Sequence, residues 1–224
     1  MKADGRPVLV VGGLAAEARI AAGPGVICLA APPSALAGKL EDLAAEPCGV
    51  ISFGLCGGLA SSLDAGWLAV GTKALHDGRS WTCDPRLASR FIEAAANAGV
   101  NAIEGPFACA ASPLLAARDK AALHERTGAV AVDTESHVAA AYAAKHDLPF
   151  AILRAVSDPA EANLPPLAVR AIGPTGRLDW RAISGELAFR PGQLLLLPGT
   201  ALDTLRAMRA LRRVRRLLGP RFGL

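Results

Sequence analysis

Acidic residues lie just beyond several apolar runs of this 224-residue chain, and carboxylates so placed could do chemistry together. Glu17 follows Val8–Val11 and the Gly12-Gly13 pair, Asp133 and Glu135 follow Ala129–Val132, and Asp158 follows Phe150–Val156. Such runs read as buried parallel strands, and open α/β sheets bind ligands on the rim beyond the strands' carboxyl ends. Acids gathered there can grip sugar hydroxyls, activate water or protonate a leaving group, the roles separated by how burial shifts each pKa. Taken singly, each also reads as a charge near a helix N-terminus or a surface acid. If their three strands are parallel neighbours, Glu17, Glu135 and Asp158 meet on one rim.

The elements that must hold them are legible in outline. Glu135 to His146 is an alanine-rich helix stopped by Asp147-Leu148-Pro149, so the stretch from Ala129 to Glu161 reads as a β-α-β unit. Gly25–Ala31, Gly49–Phe53, Gly66–Ala74 and Asn101–Ala110 read as further strands. Helices are expected over Pro33–Glu46, over Asp84–Ala98 with Asp84-Pro85 as its start, and over residues 114–126. Between Phe53 and Leu59 the run Gly54-Leu55-Cys56-Gly57-Gly58 reads as a loop that brings backbone N–H groups close to a ligand, or as a tight packing turn. The turn Ala111-Ser112-Pro113 carries no aromatic to stack on a base. Pro159 to Pro166 reads as a loop able to act as a lid, Gly173–Gly176 as a break, and Leu178–Phe189 and Thr200–Leu218 as helices.

Four local sequences in order, Gly12-Gly13-Leu14-Ala15-Ala16-Glu17, Gly54–Ala60, Val132-Asp133-Thr134-Glu135 and Arg154-Ala155-Val156-Ser157-Asp158, resemble the nucleoside phosphorylase and nucleosidase superfamily. Within it the chain is similar to the methylthioadenosine/S-adenosylhomocysteine nucleosidases, and most of all to the hopanoid-associated phosphorylases that act on adenosylhopane. The resemblance implies an α/β protein, three-layer α/β/α with a central mixed sheet, followed by C-terminal helices. It implies residues 1–190 as the catalytic domain and 191–224 as a basic amphipathic extension. It makes Glu17 the carboxylate that activates water, Glu135 the acid that holds the ribose hydroxyls and Asp158 the acid that protonates adenine, with Ser157 as its hydrogen-bonding neighbour. Asp133, Thr134, Gly57 and Gly58 would line the ribose and nucleophile site. No cofactor is implied, phosphate being a co-substrate if cleavage is phosphorolytic, and the expected assembly is a homodimer or larger.

Two departures bear on the substrate. Thr134 stands where the family keeps a methionine under the ribose, and Leu55 replaces a polar residue of the glycine loop. Phosphorolysis needs a dianion held by arginines and backbone donors. The glycine loop has no arginine, Arg79 and Arg86 would have to fold back, and Glu17 would repel phosphate, so hydrolysis is favoured. The expected reaction is cleavage of the N-glycosidic bond of an adenosine-type substrate, adenosylhopane above all, with release of adenine. Rival readings are a methylthioadenosine/S-adenosylhomocysteine nucleosidase or another purine nucleoside phosphorylase, and, in a different class, a non-catalytic nucleoside- or lipid-binding module.

Composition narrows the setting. The chain is 52% hydrophobic but 4% aromatic, so Ala, Leu and Val build its core. Residues 204–224 hold seven arginines and no acid; removing them from the net charge of +4 leaves residues 1–203 at −3. Without interleaved aromatics this tail is a poor nucleic-acid binder. Met208, Leu211, Val214 and Leu218 fall on one side of the last helix and Arg206, Arg209, Arg212, Arg213 and Arg216 on the other. That pattern suits either docking on the core or peripheral contact with an anionic membrane through residues 204–224. Five scattered cysteines without a CxxC pair point to reduced thiols in a cytoplasmic protein. No signal peptide is read before the first strand, and the uncharged stretch Ile20–Gly38, broken by Pro24, Pro32 and Pro33, is no membrane span. His76, His124, His137 and His146 lack metal-ligand spacing, so no metal is expected.

Overall fold

The computed structural model describes residues 5–165 and 197–224. The described elements are β1 (Val8–Gly12), α1 (Ala15–Ala21), β2 (Val26–Ala30), α2 (Pro33–Glu41), β3 (Val50–Gly58), β4 (Leu68–His76), β5 (Arg79–Thr82), α3 (Pro85–Asn97), β6 (Ala102–Cys109), α4 (Ala117–Thr127), β7 (Ala131–Asp133), α5 (Ser136–Lys145), β8 (Phe150–Asp158) and, after the undescribed stretch, α6 (Leu197–Leu217). The expected break at Gly173–Gly176, the helix over Leu178–Phe189 and the domain boundary at residue 190 lie outside the described residues.

The fold is the expected mixed sheet between two helical layers. Alternation along each buried strand builds both sides at once. Val8, Val10, Ile51, Phe53, Ala151 and Leu153 face the core under α1, α3 and α6. Leu9, Val11, Val50, Phe150 and Ile152 face the core under α2 and α5. The sheet runs β2-β1-β3-β7-β6-β4-β5, with β8 paired to both β3 and β4. Because β3 also pairs with β7, β7 with β6 and β6 with β4, these five strands close on themselves as a small barrel.

Two expectations change here. The strands bearing Glu135 and Asp158 are not parallel neighbours: β3 lies between them, parallel to β1 and β8 but antiparallel to β7. The cause is the glycine run. Gly54 to Gly58 continues β3 instead of forming a loop. With side chains missing at Gly54, Gly57 and Gly58, the strand, which last pairs with β1 at Ser52, is free to coil and picks up β7 at Gly57 and Gly58. Strand β5 is an addition, returned by Asp77 and Gly78, both with positive φ. Asp-Gly at a two-residue hairpin turn was its sequence signal.

The C-terminal helix resolves one open alternative. Ala207, Met208, Ala210, Leu211, Val214 and Leu218 are all buried in the core beside α1, α3 and β8, so the apolar stripe is not presented to solvent. Beyond it Phe222 meets Phe53 edge-on at 5.5 Å between ring centroids, and the Arg215 guanidinium stacks on Phe222 at 4.4 Å. Arg206, Arg209, Arg212, Arg213 and Arg216 are exposed. Leu211→Ala should therefore cost ~2–5 kcal/mol of unfolding free energy in urea titration, whereas Arg212→Ala should stay within ~0.5 kcal/mol.

Candidate active site

The site is assembled around Arg154, a fully buried charge in the middle of β8. Its Nε lies 2.6 Å from Asp133 Oδ2 and its Nη1 3.0 Å from Glu135 Oε2. Nη1 also donates to the Leu55 carbonyl at 2.8 Å, and Nη2 to Ser52 Oγ at 2.8 Å. Burial opposes a charge here, but the carboxylates of Asp133, Glu135 and Glu17 outweigh it and hold the guanidinium protonated.

Glu17 enters from the third position of α1. Its Oε2 accepts the N–H groups of Gly13 and Leu14 at 2.9 and 2.8 Å, and its Oε1 that of Leu55 at 2.7 Å. Three backbone donors fix the carboxylate, yet burial dominates and its pKa is raised to about 7, Arg154 opposing the rise and Glu135 adding to it. The glycines make the room. A Cβ on Gly54 would stand 2.4–2.7 Å from the Glu17 carboxyl group, and one on Gly13 would stand 2.8 Å from Glu135 Oε1. These residues thus accommodate the protein's own carboxylates.

Asp133 and Glu135 divide their work. Asp133 pairs with Arg154 and also caps α5, its Oδ1 accepting the Ser136 N–H at 3.0 Å while Ser136 Oγ donates to Oδ2. Glu135 accepts a 2.5 Å bond from Thr134 Oγ1 as well as its Arg154 contact; burial raises its pKa against the pull of Arg154.

Asp158 lies four residues beyond Arg154 at the end of β8. Its Oδ1 accepts from Ser157 Oγ at 2.8 Å, and Gly57 passes so close that a Cβ there would come within 3.0 Å of Oδ2. A Cβ on Gly58 would meet ordinary contacts, the nearest at 3.4 Å. Burial raises the Asp158 pKa, and Lys120 from α4, 2.6 Å from Oδ2, opposes that rise.

Thus Glu17, Glu135 and Asp133 share one cluster about Arg154, with Asp158 in a second ion pair further along the same strand. Lys120 gave no sequence signal, since its partner is 38 residues away. Arg154 stood within a motif but carried no assigned role. His76 and His137, far apart in sequence, stack at 3.9 Å between centroids, with His76 Nδ1 2.7 Å from the Cys109 carbonyl. Ala111, Ser112 and Pro113 are exposed. Among the described residues no group of three His, Cys, Asp or Glu side chains is placed to hold a metal ion. A separate surface cleft of about 600 Å³ lies between α1 and α6, lined in part by Arg19, Arg212, Arg215 and Arg216 and by none of these carboxylates.

Comparison with known proteins follows the same lines. The sequence profile of the phosphorylase superfamily matches residues 9–172. No curated protein matches the chain. Among solved structures, a Helicobacter pylori MTAN variant with 5′-methylthioadenosine in its active site superposes with a TM-score of 0.66 at 14% identity, covering 95% of this chain and 99% of that one. Native futalosine hydrolase of the same organism gives 0.66 at 15% identity, covering 95% and 98%. The 5′-methylthioadenosine/S-adenosylhomocysteine nucleosidase of Neisseria meningitidis, in complex with methylthio-immucillin-A, gives 0.63 at 18% identity, covering 93% and 98%.

Removing the central cation should expose how the cluster is balanced. Arg154→Met leaves Asp133 and Glu135 buried without their counter-charge and should lose ~3–5 kcal/mol at pH 8. Glu135, whose pKa burial raises against the pull of Arg154, then takes up its proton in the folded state more readily than in the unfolded one, so the variant should recover stability as pH falls toward 5. Thermal melts at the two pH values measure both effects.

Proposed function

The chain belongs to the phosphorylase superfamily, and from that premise we propose that it hydrolyses the N-glycosidic bond of an adenosine-type nucleoside and releases adenine. The observation that carries this reading is Glu17: a carboxylate fixed by three backbone N–H groups, next to Glu135, with a pKa of about 7. Such a group is poised to take a proton from water near neutral pH. In this reading Glu17 orients and deprotonates the water, and Glu135 holds the ribose hydroxyls as positive charge develops on the sugar. Asp158 supplies a proton to purine N7, so that the base leaves neutral. Asp133 serves through Arg154, and Thr134, Ser157, Gly57 and Gly58 shape the ribose and nucleophile side.

Water is favoured over phosphate by the state of the described arginines. Arg154 already answers two carboxylates and lies beside a third. Arg86 is exposed and paired to Asp84, whose N–H bonds the carbonyl of Phe150 at the opposite end of β8 from Asp158. Arg79 is exposed on the edge strand β5. Among the described residues no uncommitted guanidinium stands beside Glu17 to hold a dianion.

For the 5′ substituent the proposal extends to the hopane of adenosylhopane. Thr134 in place of the family's methionine supports it over a plain methylthioadenosine substrate. So does the exposed basic face of α6, whose arginines lie beside exposed Leu202, Leu205 and Leu217. With the apolar stripe buried, peripheral contact with an anionic membrane would rest on this face and on the arginine-lined cleft, each charge adding ~1 kcal/mol.

Incubation with a panel of 5′-substituted adenosines, followed by product identification, tests the reading. Asp158→Asn should retain fold and binding but lose ~10²–10⁴ in turnover. Because the base must be ionised, wild-type kcat/KM should rise as pH increases through about 7. Normal turnover in the folded variant, or a rate unaffected by pH between 5 and 7, would contradict the assignments.

A further inference from the structure

Lys120 is a lysine with no solvent exposure, held on α4 and buried against the start of the chain segment that follows Asp158. Its Nζ lies 2.6 Å from Asp158 Oδ2, 2.8 Å from the carbonyl oxygen of Pro159 and 3.1 Å from that of Ala162, with the Asp158 carbonyl at 3.4 Å. An ammonium has three donors, and the three shorter contacts use them all. The segment is also tied down elsewhere: Asn163 Oδ1 accepts the Ala117 N–H at the start of α4, and the Leu164 N–H bonds the Leu115 carbonyl. At least to residue 165, then, the stretch read from sequence as a lid is fastened to α4.

This arrangement poses a problem for an acid. Both oxygens of Asp158 face donors, Ser157 on one side and Lys120 on the other, which is how an ionised carboxylate is held. We propose that Lys120 is the positioning residue that stores the proton Asp158 delivers, the two side chains working as a single acid. This inference rests on the reading of Asp158 as the group that protonates the leaving base.

The proton count closes. In the empty site the pair is ammonium and carboxylate. Moving one proton along the 2.6 Å contact gives an amine and a carboxylic acid, with the total unchanged. The new amine accepts the O–H with its lone pair and still donates to Pro159 and Ala162, so neither state leaves a buried group unsatisfied. Burial assists by favouring the neutral pair over separated charges. A half-turn about the soft Cβ–Cγ bond of Asp158 exchanges its two oxygens and carries the hydroxyl from Lys120 to the position beside Ser157 Oγ, the side from which the proposed nucleoside would take it. The N7 lone pair then takes that proton as the glycosidic bond breaks, and the O–H electrons stay on Asp158. The pair is left as amine and carboxylate until a solvent proton restores it. Besides these two groups and the Ser157 hydroxyl, the Cys56 thiol on β3 is within electrostatic reach, and burial keeps it protonated.

Two variants, assayed for adenine release across pH 5–9 with circular dichroism as the check on folding, decide the matter. In Lys120→Met, Asp158 must carry its proton alone, so the alkaline limb of kcat should move to lower pH. The loss should be ~10²-fold or more at pH 8 and at least ~10-fold smaller at pH 5, with KM within ~3-fold of wild type. Lys120→Arg keeps the charge and the donors but cannot release a proton, so it should be impaired at every pH. Rescue by arginine, or equal losses at all pH values in the methionine variant, would show a purely structural anchor and overturn the proposal. So would a methionine variant as active as wild type at pH 8. Should the methionine variant not fold, the arginine variant carries the test. A wild-type protein that releases no adenine would instead defeat the underlying reading of the site.

Discussion

A single buried guanidinium holds the described site together. Arg154 occupies the middle of a strand that is otherwise apolar from Phe150 to Val156, and it is stable there because Asp133 and Glu135 close on it directly. Most of what surrounds it follows from that placement. Asp133 is fixed to Arg154 and to the first turn of α5, which sets the direction in which Glu135 and α5 leave β7. Leu55 gives its carbonyl to Arg154 and its N–H to Glu17, so the glycine-rich half of β3 connects the cation to the third carboxylate. Gly13 and Gly54 are small because the carboxyl groups of Glu135 and Glu17 need the space.

The charge balance then sorts the carboxylates by role. One guanidinium cannot fully answer three acids in a dry cluster: burial raises the pKa of Glu135 against the pull of Arg154, and that of Glu17, which has no direct ion pair to it, to about 7. Asp158, at the far end of β8, has a cation of its own in Lys120. In the proposed reaction the group that accepts a proton, Glu17, and the one that gives it, Asp158 with Lys120, stand at separate points of the site, each with its own burial and partners.

Much of this was legible in the residues. The order and spacing of Glu17, Glu135 and Asp158 after apolar runs marked them, and strand alternation gave the layered sheet. What escaped the sequence is long-range. Lys120 lies in Ala117–Thr127, a helix of ordinary surface composition, and nothing local says that this one lysine turns inward. The glycine run read as a loop because glycine is depleted in strands; here coiling of the strand and room for carboxylates outweigh that preference. The amphipathic pattern of α6 was plain, but periodicity shows only that an apolar face must be covered. The core of Phe53, Leu87 and Phe91 supplies that cover.

The central claim is that Glu17 directs water, and no phosphate, to the sugar carbon released from adenine. The most direct measurement is turnover of the best-cleaved 5′-substituted adenosine in phosphate-free, oxygen-18-enriched water, with mass spectrometry of the sugar product before its anomeric oxygen exchanges with solvent. The account predicts adenine in equal amount with a free ribosyl sugar that has gained one labelled oxygen. Failure to turn over until phosphate is added, with a sugar 1-phosphate as the product, would contradict it.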